Sequence, residues 1–336
     1  MKLGLLLTSL SLALGLRHVL EPAHGVRWLA MEDAAALRLC HDEPPDLLLL
    51  QLDSADRVEL TRRIMDEAPC PVLLLDLAAE LSTEWVFNAL GHGALDVVHL
   101  PGLADAAALD PALLLRKIQN IQRLTSSPQP APHRTTATQG TQRTRLIAIG
   151  ASAGGPAALS LLLHALPPDL DAALVLVQHL DDQFSAGMAE WLARESPLPV
   201  RLVQAGEAPQ PGVVLLAGRN EHLCLGRHGE LRYTPEPTEQ IYRPSIDVFF
   251  HSLATQWQGD AIGVLLTGMG RDGAEGLKAM RERGFPTITQ DQASSAVWGM
   301  PKAAAAIGAA AEVLPLERIA TRLAELCSRA PTRRTP

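Results

Sequence analysis

Apolar residues fall in short continuous bursts along this chain, separated by longer stretches in which they recur every three or four positions. Runs such as Leu47–Leu50, Leu146–Ile149 and Leu174–Val177 leave no polar face. That is the pattern of strands buried on both sides of a parallel sheet, with amphipathic helices between them. Over the first 124 residues it predicts strands at Lys2–Leu7, Val26–Ala30, Asp46–Leu52, Pro71–Asp76 and Leu95–His99, and a last amphipathic helix near Asp110–Leu124. This rhythm predicts a small doubly wound α/β domain with a five-stranded parallel sheet of the flavodoxin-like kind.

The pattern breaks at residues 125–144, TSSPQPAPHRTTATQGTQRT, which hold almost no large apolar side chain and read as a linker stiffened near its prolines. A second doubly wound, mainly parallel α/β domain is expected over residues 145–336. Its strands are predicted at Leu146–Ile149, Ala173–Gln178, Val213–Ala217 and Ala261–Thr267. Residues 220–233, and the segment leading to Tyr242, read as hairpins. Helices are predicted at Pro156–Leu163, Asp182–Glu195, Ser245–Trp257, Gly273–Glu282 and Ala293–Ile307, with Ser328–Pro336 expected to fray.

The opening MKLGLLLTSLSLALGL has the lysine and apolar run of a secretory leader. Thr8, Ser9 and Ser11 interrupt it, and no small-x-small cleavage site precedes Arg17, so it reads as a strand, a turn and a helix start. No stretch has the length of a transmembrane helix. A chain of 336 residues has room for two cored domains. A net charge of -8 argues against nucleic acid as the main partner. Cys40, Cys70, Cys224 and Cys327 show no C-x-x-C spacing and read as reduced thiols of a cytosolic protein.

Candidate chemistry gathers where apolar strands of the second domain end. Ser152 sits in the glycine-rich turn Gly150-Ala151-Ser152-Ala153-Gly154-Gly155, between a strand and a helix. His179 follows the strand ending at Gln178, and Asp272 follows the turn Gly268-Met269-Gly270-Arg271. In an open parallel sheet, residues beyond the carboxyl ends of neighbouring strands converge on one crevice. A hydroxyl, an imidazole and a carboxylate brought together there, beside free turn amides, meet the needs of acyl transfer. Each residue also has a plain structural role: Ser152 and Asp272 as helix caps, His179 as a hydrogen-bonded strand end. The order differs from that of an ordinary α/β-hydrolase, which places histidine last, because no histidine follows His251. The Gly150–Gly155 spacing is wrong for a dinucleotide fingerprint, and there is no P-loop lysine. His222, Cys224 and His228 have a loose metal-like spacing without an evident fourth ligand and read as ordinary hairpin residues.

The blocks IGASAGGPAAL (149–159), VLVQHL (175–180), YRPSIDVFFHSLA (242–254), GVLLTGMGRDGAEGLKAMRERG (263–284) and TITQDQASSAVWGMPKAA (287–304) follow one another in an order that resembles the CheB family of chemotaxis protein-glutamate methylesterases. The resemblance implies a triad of Ser152, His179 and Asp272 and an oxyanion or pocket region at Ala153, Gly154, Met269 and Gly270. Ala153 stands where the family has threonine. It implies hydrolysis of glutamyl γ-methyl esters on the cytoplasmic helices of chemoreceptors, in some members with glutamine deamidation, and no cofactor or metal. Arg243 and Arg271 are candidate contacts to acidic receptor surface. A cytoplasmic location and contact with a chemosensory kinase or other signalling proteins are expected, without nucleic-acid binding or membrane insertion.

In that family the first domain is a response-regulator receiver, and fragments 43–54, 69–76 and 89–101 resemble its third, fourth and fifth strand regions. Its chemistry is missing. Leu7-Thr8-Ser9 stands where the resemblance implies an acidic Mg²⁺-holding pair, Gln51 where it implies the phosphoacceptor aspartate, and Leu100 where it implies the lysine before a proline. Asp53, two positions further on, lacks that support. The expectation is a pseudo-receiver that is not switched by phosphorylation in the usual way and serves as a docking or dimerising module or as a static regulator of the esterase.

Overall fold

A computed structural model describes residues 1–78, 83–100, 112–123, 145–240 and 242–328. The expected linker, most of the frayed C-terminus and the ends of the helix expected at Asp110–Leu124 fall outside these residues. The chain divides into two compact units, Met1–Ser126 and Ser127–Pro336.

The first unit alternates β1 (Lys2–Leu6), α1 (Leu10–Leu20), β2 (Gly25–Ala30), α2 (Asp33–Asp42), β3 (Leu47–Gln51), α3 (Ala55–Glu67), β4 (Val72–Asp76), α4 (Thr83–Gly91), β5 (Asp96–His99) and α5 (Ala112–Arg123). The strands form one five-stranded sheet in the order β2-β1-β3-β4-β5, and every neighbouring pair is parallel. Every residue of β3 and β4 is buried, as expected for strands covered by helices on both faces. Ser9 caps α1, its hydroxyl accepting from the Leu12 amide.

The second unit contains β6 (Leu146–Ala151), α6 (Gly155–His164), β7 (Ala173–Gln178), a 3-10 turn at Asp182–Phe184, α7 (Ser185–Glu195), β8 (Val200–Leu202), β9 (Val214–Leu216), the hairpin β10 (His222–Leu225) and β11 (Leu231–Thr234), α8 (Ile246–Gln256), β12 (Ala261–Leu265), α9 (Ala274–Glu282), β13 (Thr287–Gln290), α10 (Met300–Ala306), β14 (Glu312–Leu314) and α11 (Leu316–Ser328). Its seven-stranded parallel sheet has the order β14-β13-β12-β6-β7-β9-β8. From β6 the chain steps to β7 on one side, and β12 later returns to the other side. Crossovers that leave a strand in opposite directions open a crevice at its carboxyl end.

The structure departs from the sequence reading in particular places. The segment leading to Tyr242 forms no second hairpin among the described residues; Pro235, Pro237 and Pro244 remove amides that a ladder would need. The helix expected over Ala293–Ile307 shrinks to α10, because Pro301 fits only the first turn of a helix. Ahead of it, Asp291 Oδ1 accepts from the Ser294 amide at 3.0 Å and hydroxyl at 2.7 Å and holds a loop. Strands β8, β13 and β14 and helix α11 were not foreseen. In β13 the threonines are the reason: Thr287 and Thr289 are wholly buried, and a hydroxyl in an apolar burst hides the strand.

Candidate active site

Ser152 follows β6 directly and is 8% exposed at the crevice. Its amide donates to Thr267 O at 3.0 Å, which ties the turn to the end of β12. Its carbonyl accepts from the Gly155 amide at 2.7 Å and from Gln178 Nε2 at 2.9 Å. The turn needs glycine at 154, where φ is +72° and a Cβ would lie 2.5 Å from Ala296 Cβ. Ala153 is buried, and its carbonyl lies 3.0 Å from Thr267 Oγ1.

The facing turn belongs to residues 267–272. Gly268 pairs with Trp298 in an isolated parallel bridge, and its carbonyl accepts from the Gly299 and Met300 amides at 3.1 and 2.9 Å. Met269 is buried, and Gly270 is left-handed at φ +78°. Among the described residues, the amides of Ala153, Gly154, Met269 and Gly270 donate to no acceptor. They form two short arrays of donors on neighbouring turns, the kind of arrangement that stabilises an oxyanion.

His179 follows β7, with its amide on Ala151 O at 3.1 Å and its Nε2 2.7 Å from Asp272 Oδ2. Both side chains of this pair are more than nine-tenths buried. The imidazole lies flat on Tyr242, with ring centroids 4.2 Å apart and planes 7° from parallel. Its Nδ1 is buried and has no hydrogen-bond partner among the described residues. One ring nitrogen is thus committed to a carboxylate, and the other is buried without a partner among the described residues.

Asp272 is held from several sides. Oδ2 also accepts from the Ile246 amide at 2.7 Å, and Oδ1 accepts from Ser245 Oγ at 2.8 Å and the Asp247 amide at 3.0 Å. These donors are the cap and first turn of α8, where the helix dipole favours a negative charge. Burial by itself pushes the Asp272 carboxyl up, but the bond and charge of His179 together with the α8 amides outweigh it and hold the group at about 2. Asp247 has the opposite fate. Burial, with the charge of Asp272 beside it, pushes its carboxyl up to about 7 despite a bond from the Gly276 amide.

The structure therefore brings His179 and Asp272 into contact, with Ser152 on the strand between theirs. Of the arginines, Arg243 donates from Nη2 to Thr238 O at 2.8 Å. Arg271 is 73% exposed and pairs with Glu275 at 3.3 Å. Sequence reasoning gave no role to Tyr242, Ser245, Gln178 or Asp247, although all but Gln178 stand inside the block 242–254 and Gln178 immediately precedes His179. His222 stands in the hairpin strand β10, as the sequence reading has it. It is wholly buried, with Nε2 on Pro237 O at 3.1 Å and Nδ1 accepting from the Ser245 amide at 3.1 Å. Among the described residues no cluster of His, Cys, Asp and Glu is arranged to hold a metal ion.

Gln51, at the end of β3 in the first unit, is buried and its Oε1 accepts from the Thr8 amide at 2.9 Å. Asp76, at the end of β4, is buried against His99, with 3.0 Å between Oδ2 and Nδ1. Asp53 lies 4.0 Å from the buried Arg57. Leu100 offers only its backbone amide, to Asp76 O at 2.8 Å.

Comparison with known proteins adds an independent finding. Residues 147–323 match the family model described as CheB methylesterase. The protein-glutamate methylesterase/protein-glutamine glutaminase of group 3 operon of Pseudomonas putida is 57% identical over 312 residues, covering 91% of this chain and 93% of its own. A protein-glutamate methylesterase/protein-glutamine glutaminase of Cupriavidus metallidurans is 54% identical over 328 residues, with 96% of each chain covered. The CheB methylesterase catalytic domain of Thermotoga maritima superposes at a TM-score of 0.52 with 33% identity, over 55% of this chain and 100% of that one.

Proposed function

The chain belongs to the CheB methylesterase family and is a protein-glutamate methylesterase/protein-glutamine glutaminase, and we propose that Ser152, His179 and Asp272 carry its chemistry. The observation that supports this most is the buried His179–Asp272 bond of 2.7 Å beside the turn that presents Ser152. Ser152 Oγ attacks the δ-carbonyl carbon of a glutamyl methyl ester while His179 Nδ1, the ring nitrogen without a partner among the described residues, takes the hydroxyl proton. Asp272 fixes the tautomer and stabilises the imidazolium. The amides of Ala153, Gly154, Met269 and Gly270 meet the oxyanion. As the tetrahedral carbon collapses, His179 returns the proton to the departing methoxide and methanol leaves. Water then attacks the acyl-serine through the same base, releasing glutamate and restoring Ser152. With a glutamine side chain the leaving group is ammonia.

The substrate we propose is the cytoplasmic helical region of chemoreceptors, met by a cytoplasmic enzyme. Arg271 is exposed beside the crevice turn and suits acidic receptor surface. Arg243, bonded to Thr238 O, supports the loop that carries Tyr242 and contributes any substrate contact from that fixed position. Among the described residues no helix is long and apolar enough to cross a membrane.

The receiver-like unit of residues 1–124 serves, in this reading, as a pseudo-receiver joined by residues 125–144 to the esterase of residues 145–336. A receiver's Mg²⁺ needs charged oxygen ligands. Thr8 and Ser9 are neutral, Gln51 is a carboxamide engaged by the Thr8 amide, Asp53 lies near Arg57, and Asp76 is paired with His99. These residues do not fit the ion. The unit is left with docking, to a chemosensory kinase or another signalling protein. Methanol release from methylated receptor fragments tests the central claim. The intact protein is expected to release methanol and Ser152→Ala to release none; equal release from both would overturn the triad.

A further inference from the structure

The dyad of His179 and Asp272 continues inward. Ser245 Oγ donates to Asp272 Oδ1 at 2.8 Å, and as the cap of α8 the same oxygen accepts from the Val248 amide at 3.4 Å. Ser245 is 1% exposed, so water does not compete for its single proton. Its backbone is held in turn: the Ser245 amide donates to His222 Nδ1 at 3.1 Å. Because Nδ1 accepts, Nε2 carries the hydrogen and donates to Pro237 O at 3.1 Å. A buried chain therefore runs His222, Ser245, Asp272, His179, and each link fixes the next.

We propose that Ser245 is a positioning residue for ester hydrolysis, anchored by His222 and acting through Asp272; the inference rests on the triad reading above. A helix cap alone requires only that Ser245 accept from the first turn. It does not require that the hydroxyl proton point at the carboxylate that holds the base. The groups facing that carboxylate are His179 from the end of β7, Ser245 and Asp247 from α8, and Glu275 of α9 beyond Asp247. Of their side chains, the Ser245 hydroxyl is the neutral donor. It takes up part of the Asp272 charge. It also stops the carboxylate from rotating away from Nε2.

Ser245→Gly separates the two roles, because glycine caps a helix nearly as well as serine but brings no hydroxyl. In the full-length protein, this variant is expected to lose about tenfold or more in kcat for methanol release with KM within about twofold. The acid limb of kcat/KM should move to higher pH, because an Asp272 with one donor fewer stabilises the imidazolium more strongly. Ser245→Thr, which restores the hydroxyl, should bring kcat back to within about threefold. Parental kcat and an unmoved acid limb in Ser245→Gly would overturn the proposal. Asp272→Asn, measured alongside, separates the two readings: if it is inactive while Ser245→Gly is normal, only the role of Ser245 falls. If Asp272→Asn keeps the parental rate, the triad falls and the positioning role with it. Should circular dichroism show Ser245→Gly unfolded, Ser245→Thr and Ser245→Val, alike in shape, decide. A gap of about tenfold in kcat between them supports the hydroxyl, and equal rates overturn it.

Discussion

Asp247 and Asp272 meet at the same helix end and are driven in opposite directions, which gives each its own pH signature. Asp272 is held at about 2, below its ordinary 3.8. Its contribution to stability is therefore complete above the ordinary value and is lost as the pH falls through about 2. Replacing it with asparagine leaves the shape but removes the charge that fixes His179. Asp272→Asn is expected to lower kcat by roughly 10³–10⁴-fold, the scale of the same change in other serine triads. Methanol release with saturating receptor fragment checks this, and a loss of less than tenfold would overturn the assignment. Asp247 is raised to about 7, so its carboxyl favours folding in the protonated form below its ordinary 3.8 and loses that contribution as the pH rises through about 7. Asparagine at this position keeps an oxygen for the Gly276 amide and has no charge to bury. Asp247→Asn should exceed the parent in Tm at pH 8, by a margin that shrinks as the pH falls through about 7 and closes below 3.8. A difference independent of pH would show that burial of the Asp247 charge carries no cost.

Helices α8 and α9 are the elements that aim the site, and their contact depends on one small residue. A Cβ on Gly276 of α9 would lie 2.6 Å from Phe250 Cβ and 2.9 Å from the Asp247 carbonyl, both on α8. Alanine normally stabilises a helix interior by about 1 kcal/mol over glycine. Here the sign should reverse: Gly276→Ala is expected to cost about 1–3 kcal/mol as the helices are forced apart. It should also lower kcat, because the first amides of α8 hold Asp272. Urea unfolding with a parallel rate measurement checks both, and a stabilised variant would refute the close approach. What the sequence made legible at this scale follows from the same physics. Uninterrupted apolar bursts marked β3, β4, β6 and β7, which are wholly buried, and the polar residues just beyond β6, β7 and β12 were the site candidates. The short strand β13 was not legible, because Thr287 and Gln290 bury polar groups that only tertiary bonds satisfy, and Thr289 buries a hydroxyl within the strand. Nor were Tyr242 and Ser245. They reach the site through a long connection after β11, and no local period records which side chain a distant strand end will meet.

At the scale of the whole molecule, the two units keep different parts of an inherited design. The esterase unit retains a hydroxyl, an imidazole and a carboxylate with buried support around each. The receiver-like unit keeps the sheet order β2-β1-β3-β4-β5 but seals its carboxyl edge with internal bonds: Gln51 to the Thr8 amide, Asp76 to His99, and Asp53 near Arg57. A carboxamide is not a nucleophile towards phosphorus, and among the described residues no free acidic pair stands beside it to hold the metal that phosphoryl transfer uses. In the function proposed above, control of this enzyme comes through what the first unit binds rather than through a covalent mark on it. Incubation of the full-length protein with acetyl phosphate and Mg²⁺ should leave the rate of methanol release within about twofold and incorporate no acid-stable, base-labile phosphoryl group. Restoring one residue, as in Gln51→Asp, should not create a response either, since Thr8, Ser9 and Leu100 would still supply no charge to the transferring group. A rise in rate with acetyl phosphate in the parent protein would mean that Asp53 or Asp76 leaves its partner and accepts the phosphoryl group, and the sealed edge would then be a resting state rather than a fixed one.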